Sequence, residues 1–179
     1  MKAADGRVLV TAASKHGATH DIAEALAAGL RRAGGALLSV DCIPVERAPS
    51  PDRYGAVLLG SAVYAGSWRD EARHWASAHA GDLRDRAVWL FSSGPIGPPP
   101  FPPDDPHDVA PLLQLTGAHG HRTFPGRLEK ERLTVPERAM VTAMRAPLGD
   151  FRDWAAVEAW AVEIAGALRA RAASSEPAS

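Results

Sequence analysis

Apolar runs punctuate the chain at residues 7–12 (RVLVTA), 56–60 (AVLLG) and 87–91 (AVWLF). Short continuous runs of this kind, bounded by polar turn residues, read as strands covered on both faces. Residues 37–41 and 120–124 supply two shorter strand candidates. Between them lie amphipathic stretches. Residues 22–31 predict a first helix, Ser67 is placed to cap a second through about residue 80, and residues 109–115 suggest a third. Thr134, Pro136 and Glu137 together signal a helix start, with a cap, an early proline and a first-turn acid. A last helix is expected from about residue 153 to 171, with Trp154, Val157, Trp160, Ile164 and Leu168 on one face. Residues 172–179 are expected to form a disordered tail after a single domain over 1–171.

Strands that alternate with helices indicate an α/β fold, a doubly wound three-layer sandwich around a five-stranded parallel sheet. Ligands of such sheets bind at loops beyond the carboxyl ends of the strands. Three loops qualify: 13–19, 61–68 and 92–100.

The first loop joins a strand to a helix through Ser14, Lys15, His16, Gly17, Ala18 and Thr19. Backbone N–H groups at a helix start are unpaired, and the helix dipole favours an anion there. Ser14 and Thr19 are expected to add hydroxyl donors; such residues also serve as plain helix caps. Lys15 is misplaced for a nucleotide-triphosphate loop, and a lone Gly17 does not make a dinucleotide fingerprint. A mononucleotide monophosphate fits better. The second loop, Ser61, Ala62, Val63, Tyr64, Ala65 and Gly66, offers Tyr64 as an aromatic cover for a flat ring. The third, Ser92, Ser93 and Gly94, offers hydroxyl and N–H groups to the ring edge. Pro-rich residues 95–106 follow, either a rigid lid or a surface excursion.

Composition narrows the function. The 179 residues carry a net charge of −1, so no broad field attracts nucleic acid. No run of apolar residues is long enough to span a membrane, and residues 1–10 lack a long apolar stretch, so no export segment is expected. A soluble cytoplasmic protein is expected, with docking at the inner face of a membrane left open. Cys42 is the single cysteine, more readily a buried thiol than a nucleophile, so redox chemistry calls for an organic cofactor. The seven histidines show no metal-ligand spacing, and no metal is expected. Arg127, Arg132 and Arg145 either guide an anionic substrate or, the preferred reading, face water, and no side chain stands out as a catalytic acid or base.

The loop at 13–19, the ring segment at 61–66, residues 124–128 (FPGRL) and Asp153-Trp154 together resemble flavodoxin-like FMN proteins. Within that superfamily they are most similar to the short menaquinone-dependent protoporphyrinogen dehydrogenase group. The resemblance spans about residues 7 to 168, and departs from the group at the Pro-rich segment and at Ala13, where a hydroxyl is expected. It implies strand order 2-1-3-4-5, FMN bound by the three loops, and electron transfer from a small-molecule donor, with a porphyrinogen as one candidate, to a quinone-like acceptor. A noncatalytic electron carrier serving a redox protein partner is the alternative. A domain that has lost flavin is a third.

Overall fold

The structure is a computed structural model that describes residues 6–94, 96–97 and 104–175. Five parallel strands form the centre: β1 (Arg7–Ala13), β2 (Ser39–Cys42), β3 (Ala56–Tyr64), β5 (Ala87–Ser93) and β6 (Gly120–Phe124). Their order is β2-β1-β3-β5-β6, and the two-residue β4 (Ser67–Trp68) returns antiparallel beside the end of β3. Setting that return aside, the order is the expected 2-1-3-4-5.

Both faces of the sheet are covered. On one side α1 (Ala18–Gly34) and α6 (Trp154–Ser175) pack over Val8, Val10, Leu58 and Phe91. On the other, α2 (Asp70–Ala78), α3 (Ala80–Arg84) and α4 (Val109–Thr116) cover Leu9, Val57, Leu59, Val88 and Leu90. The alternation explains the continuous apolar runs: odd and even positions of each strand feed different helix layers.

Several boundaries differ from expectation. The helix α1 begins at Ala18, four residues before its apolar periodicity starts at Ile22, because its polar first turn faces the loop end of the sheet. β3 runs on through Tyr64, so Ser61 to Tyr64 are strand and not loop. Ser92 and Ser93 are likewise buried strand. Ser67 belongs to β4, and α2 starts after Arg69 without a side-chain cap. The terminal helix continues to Ser175, into the stretch expected as a tail, on a run of alanines that favours helix. Trp154 turns outward at 44 % exposure, and the Arg152 guanidinium lies over its ring at 4.5 Å.

An unexpected subdomain follows β6. Strands β7 (Arg127–Leu128) and β8 (Gly149–Asp150) pair antiparallel, and α5 (Val135–Ala143) lies between them in sequence. The helix starts with the expected capping box: the Thr134 hydroxyl and the Glu137 carboxylate satisfy each other's backbone N–H groups. It buries no side chain.

Candidate functional site

The three candidate segments converge at the carboxyl edge of the sheet. Register pairs Ala13 with Ser61 and Ala62 with Ser93, so the ends of β1, β3 and β5 lie side by side. Residues 14–17, the turn at 65–66 and Gly94 follow directly from those ends.

At the end of β1, Gly17 takes φ 86°, a left-handed conformation that glycine adopts without a steric penalty. Its N–H donates to Ser14 Oγ at 3.1 Å, so Ser14 closes the loop as an acceptor and keeps its own O–H to donate. Thr19, expected to add a hydroxyl donor, is 1 % exposed and sits in the first turn of α1. The loop's remaining donors are the backbone N–H groups of the first turn of α1. An anion fits such a turn.

At the end of β3, Tyr64 pairs with Ser67 across a two-residue turn with Ala65 at φ 49° and Gly66 at φ 77°. Two positive φ values match the twist of a hairpin, at a cost for Ala65, which carries a Cβ. Tyr64 projects from this hairpin at 41 % exposure. Burial pushes its phenol up to about 12, and the Glu137 carboxylate adds to the shift. Lys15 joins the two segments: Nζ lies 5.3 Å over the Tyr64 ring and 2.5 Å from Glu137 Oε1. A cavity of about 450 Å³ opens beside Tyr64, lined in part by Lys15, Trp68, Arg69 and Arg73.

The serines at the ends of β3 and β5 face inward. Ser61 Oγ accepts from Arg69 N at 2.9 Å and donates to Ala62 O at 2.8 Å. Ser92 Oγ accepts from Trp68 Nε1 at 2.8 Å and lies 2.7 Å from His121 Nε2. The indole can only donate, so Ser92 Oγ accepts from it; the direction of the Ser92–His121 bond follows the imidazole tautomer, and Nδ1 lies 3.7 Å from Asp105. Asp105, His121 and Ser92 are the residue types of a nucleophilic triad. Yet Ser92 is fully buried, so the chain holds segments together and presents no nucleophile. Burial lowers the His121 pKa against the opposing pull of Asp105. His107 N and the Asp108 carboxylate bind Gly66 O and Trp68 N, at 2.9 and 2.6 Å. The return limb of the Pro-rich segment is thereby pinned to the ring hairpin; Pro95 and residues 98–103 lie outside the described residues. Gly94 N donates to Phe124 O at 3.3 Å, closing the third segment onto β6.

The last third of the chain supplies side chains that local sequence reading missed. Arg127, expected to face water, is 9 % exposed and reaches Asp21, Glu129 and His16 O. Arg132 reaches the same His16 carbonyl at 3.3 Å. Glu137 accepts from Lys15 and, at 3.1 Å, from His16 Nε2. The lysine contact first, then the Thr134 backbone, holds its carboxyl well below the usual range. Only the Thr134-Pro136-Glu137 cap was visible locally, and it gave no hint of this second use. Cys42 is remote, and burial, reinforced by Glu24, pushes its thiol up to about 12. His119 packs on Trp89 with ring centroids 5.2 Å apart. Among the described residues no cluster of acidic, histidine or cysteine side chains could hold a metal.

The model of a family described as a flavodoxin domain matches residues 9–154. A flavodoxin from the domain Archaea superposes with TM-score 0.64 at 12 % identity, covering 91 % of this chain and 99 % of its own. The rubredoxin:oxygen oxidoreductase of Desulfovibrio gigas gives 0.64 at 16 % identity over 94 % of this chain, which spans only 37 % of that protein. An azoreductase from Bacillus anthracis gives 0.54 at 12 % identity, over 90 % of this chain and 99 % of its own. These likenesses establish the fold. No curated protein matches.

Proposed function

The chain belongs to the flavodoxin domain family, and from that premise we propose that it is an FMN-dependent oxidoreductase passing electrons from a reduced organic substrate to a quinone-like acceptor. FMN is the cofactor of flavodoxin domains. The residues present fit it: an outward-facing helix start for a phosphate, an exposed aromatic for a ring, and three strand ends between them. Bound there, the flavin would supply the electron transfer.

The protein's part is binding and access. The Ser14 hydroxyl and the N–H groups at the start of α1 receive the phosphate, with Lys15 and His16 beside them. Tyr64 covers the ring from its hairpin, and Ala62, Val63 and Gly94 border the same edge. The fixed Ser92–Trp68 and His107–Gly66 contacts keep that hairpin in place, which orients the ring without reorganisation. The single observation that carries an enzymatic reading is the open cavity of about 450 Å³ beside Tyr64. Its lining sets Lys15, Arg69 and Arg73 against Asp70 and Glu71, so it offers polar groups of both signs to a donor. Assignment of that donor to the porphyrinogens rests on the resemblance at 124–128 and 153–154. No helix among the described residues is long and apolar enough to cross a membrane, so a bilayer-dissolved quinone would be met by surface contact. The electron-carrier reading draws on the archaeal flavodoxin, whose whole length this fold reproduces.

The test is anaerobic. FMN-loaded protein is mixed with protoporphyrinogen and with smaller reduced donors, then with menaquinone analogues. Flavin reduction by a donor and reoxidation by a quinone, both at turnover rates, supports the enzyme. Reduction by a partner reductase alone supports the carrier, and a purified chain that binds no flavin overturns both.

A further inference from the structure

Two guanidiniums from the subdomain after β6 close over the loop at 14–17. Arg127 Nη2 and Arg132 Nη1 both point at His16 O, from 3.4 and 3.3 Å. A Cβ added at Gly17 would lie 3.7 Å from Arg132 and 3.9 Å from Arg127, so both reach the residue that precedes α1. Both bonds to the carbonyl are longer than the usual 2.9–3.0 Å of an N–H···O bond, and each guanidinium carries five N–H donors. An anion at the helix start can therefore take donors from Arg127 and Arg132 at little cost to the loop.

The charges around the loop are balanced. Lys15, Arg127, Arg132 and Arg152 face Asp21, Glu129, Glu137 and Asp150. Four cations meet four carboxylates, so a phosphate gains little from net charge and must compete with the acids for the same donors. Glu137 is the strongest local competitor: it takes both Lys15 and His16, the loop's own basic side chains.

We propose that Arg127 and Arg132 form a second wall of the phosphate site, which selects a phosphate-bearing flavin over its dephosphorylated form, and that Glu137 weakens the facing side of the site by holding Lys15 and His16. The inference rests on the FMN reading above and adds three residues to it. It also implies that removing a cation and removing the competing carboxylate act in opposite directions.

The experiment titrates apoprotein with FMN and with riboflavin, which lacks the phosphate. Arg132→Gln is the primary variant, because this side chain is 51 % exposed and its loss spares the core. Losing a hydrogen bond between charged groups should weaken FMN about tenfold or more and leave riboflavin unchanged. Glu137→Gln keeps the capping box, which accepts glutamine, and should tighten FMN several-fold. Orthophosphate, titrated while the amides of residues 17–20 are followed by NMR, reads the wall without the ring. Equal losses for FMN and riboflavin, or orthophosphate shifts indifferent to Arg132→Gln and Arg127→Gln, overturn the wall while leaving FMN binding intact. Arginine-dependent phosphate shifts in a chain that binds neither flavin would uphold the wall and overturn the flavin reading instead.

Discussion

Gly60 occupies a strand centre where the sequence gives no reason for glycine, and its replacement by alanine tests the packing of the whole sheet edge. Gly60 pairs with Phe91 in the β3–β5 register. A Cβ built on it would sit 2.5 Å from Phe91 Cε1 and closer still to Cε2 and Cζ. Carbon contacts are optimal near 3.5–4.0 Å, so the overlap is about 1 Å or more. The ring has nowhere to go. Phe91 is fully buried, with Phe124 and Trp160 edge-on at 6.5 and 6.4 Å. Forcing a methyl group into such a core costs about 1–3 kcal/mol. With no clash, glycine to alanine in a strand would instead stabilise by about 0.5–1 kcal/mol. The two cases therefore differ in sign. For a domain of this size each kcal/mol moves Tm by about 2–4 °C, so Gly60→Ala should lower Tm by about 2–12 °C, against a rise of about 1–4 °C without the clash. Thermal melts and urea unfolding followed by tryptophan fluorescence give the number. Phe91→Leu then provides room, and the double variant should recover at least about 1 kcal/mol beyond additivity. A Tm that stays put or rises in Gly60→Ala, or strict additivity with Phe91→Leu, refutes the steric account.

Three further outcomes are expected. Tyr64→Ala should shift flavin absorbance and weaken FMN about two- to tenfold with the fold intact, as expected for one lost aromatic contact; an unchanged spectrum and affinity would place the ring elsewhere. His121 is neutral and buried, and its pKa is lowered, so the unfolded chain binds the proton first. Stability should hold above the ordinary imidazole value of 6.5 and fall as pH drops below it, until the folded side chain protonates too. His121→Gln should flatten that fall below pH 6.5, and superimposable profiles would argue against it. The Cys42 thiol, held protonated by burial, should react with a disulfide reagent at pH 8 far more slowly in the folded protein than in urea, and equal rates would contradict its burial.

Much of the fold was legible because the signals were local. Buried parallel strands need apolar residues on both faces, and residues 7–12, 56–60 and 87–91 show that directly. The ends of β3 and β5 were misread for a physical reason. Ser61, Ser92 and Ser93 look like loop residues, but the hydroxyls of Ser61 and Ser92 are satisfied inside by Arg69 N, Trp68 and His121, so the strands continue through them. The hairpin at Ala65-Gly66 escaped notice because alanine is a poor residue for its positive φ. In the candidate site, the loop at 14–19 was readable as strand, small polar loop and helix. Arg127, Arg132 and Glu137 were not, because nothing in their own neighbourhoods records that they meet His16 more than a hundred positions away.

That separation has a consequence for how the chain is made. Arg152 contacts Asp21 across 131 positions, and Glu137 contacts Lys15 across 122. A ribosome adds about 5–20 residues per second, so about 7–26 s pass between synthesis of Asp21 and of its arginine partner. For most of that interval the chain lacks Arg127, Arg132 and Glu137, and throughout it lacks the helix α6 that packs on α1. The proposed anion site would thus be among the last parts of the molecule to be completed, after all five central strands have been synthesised.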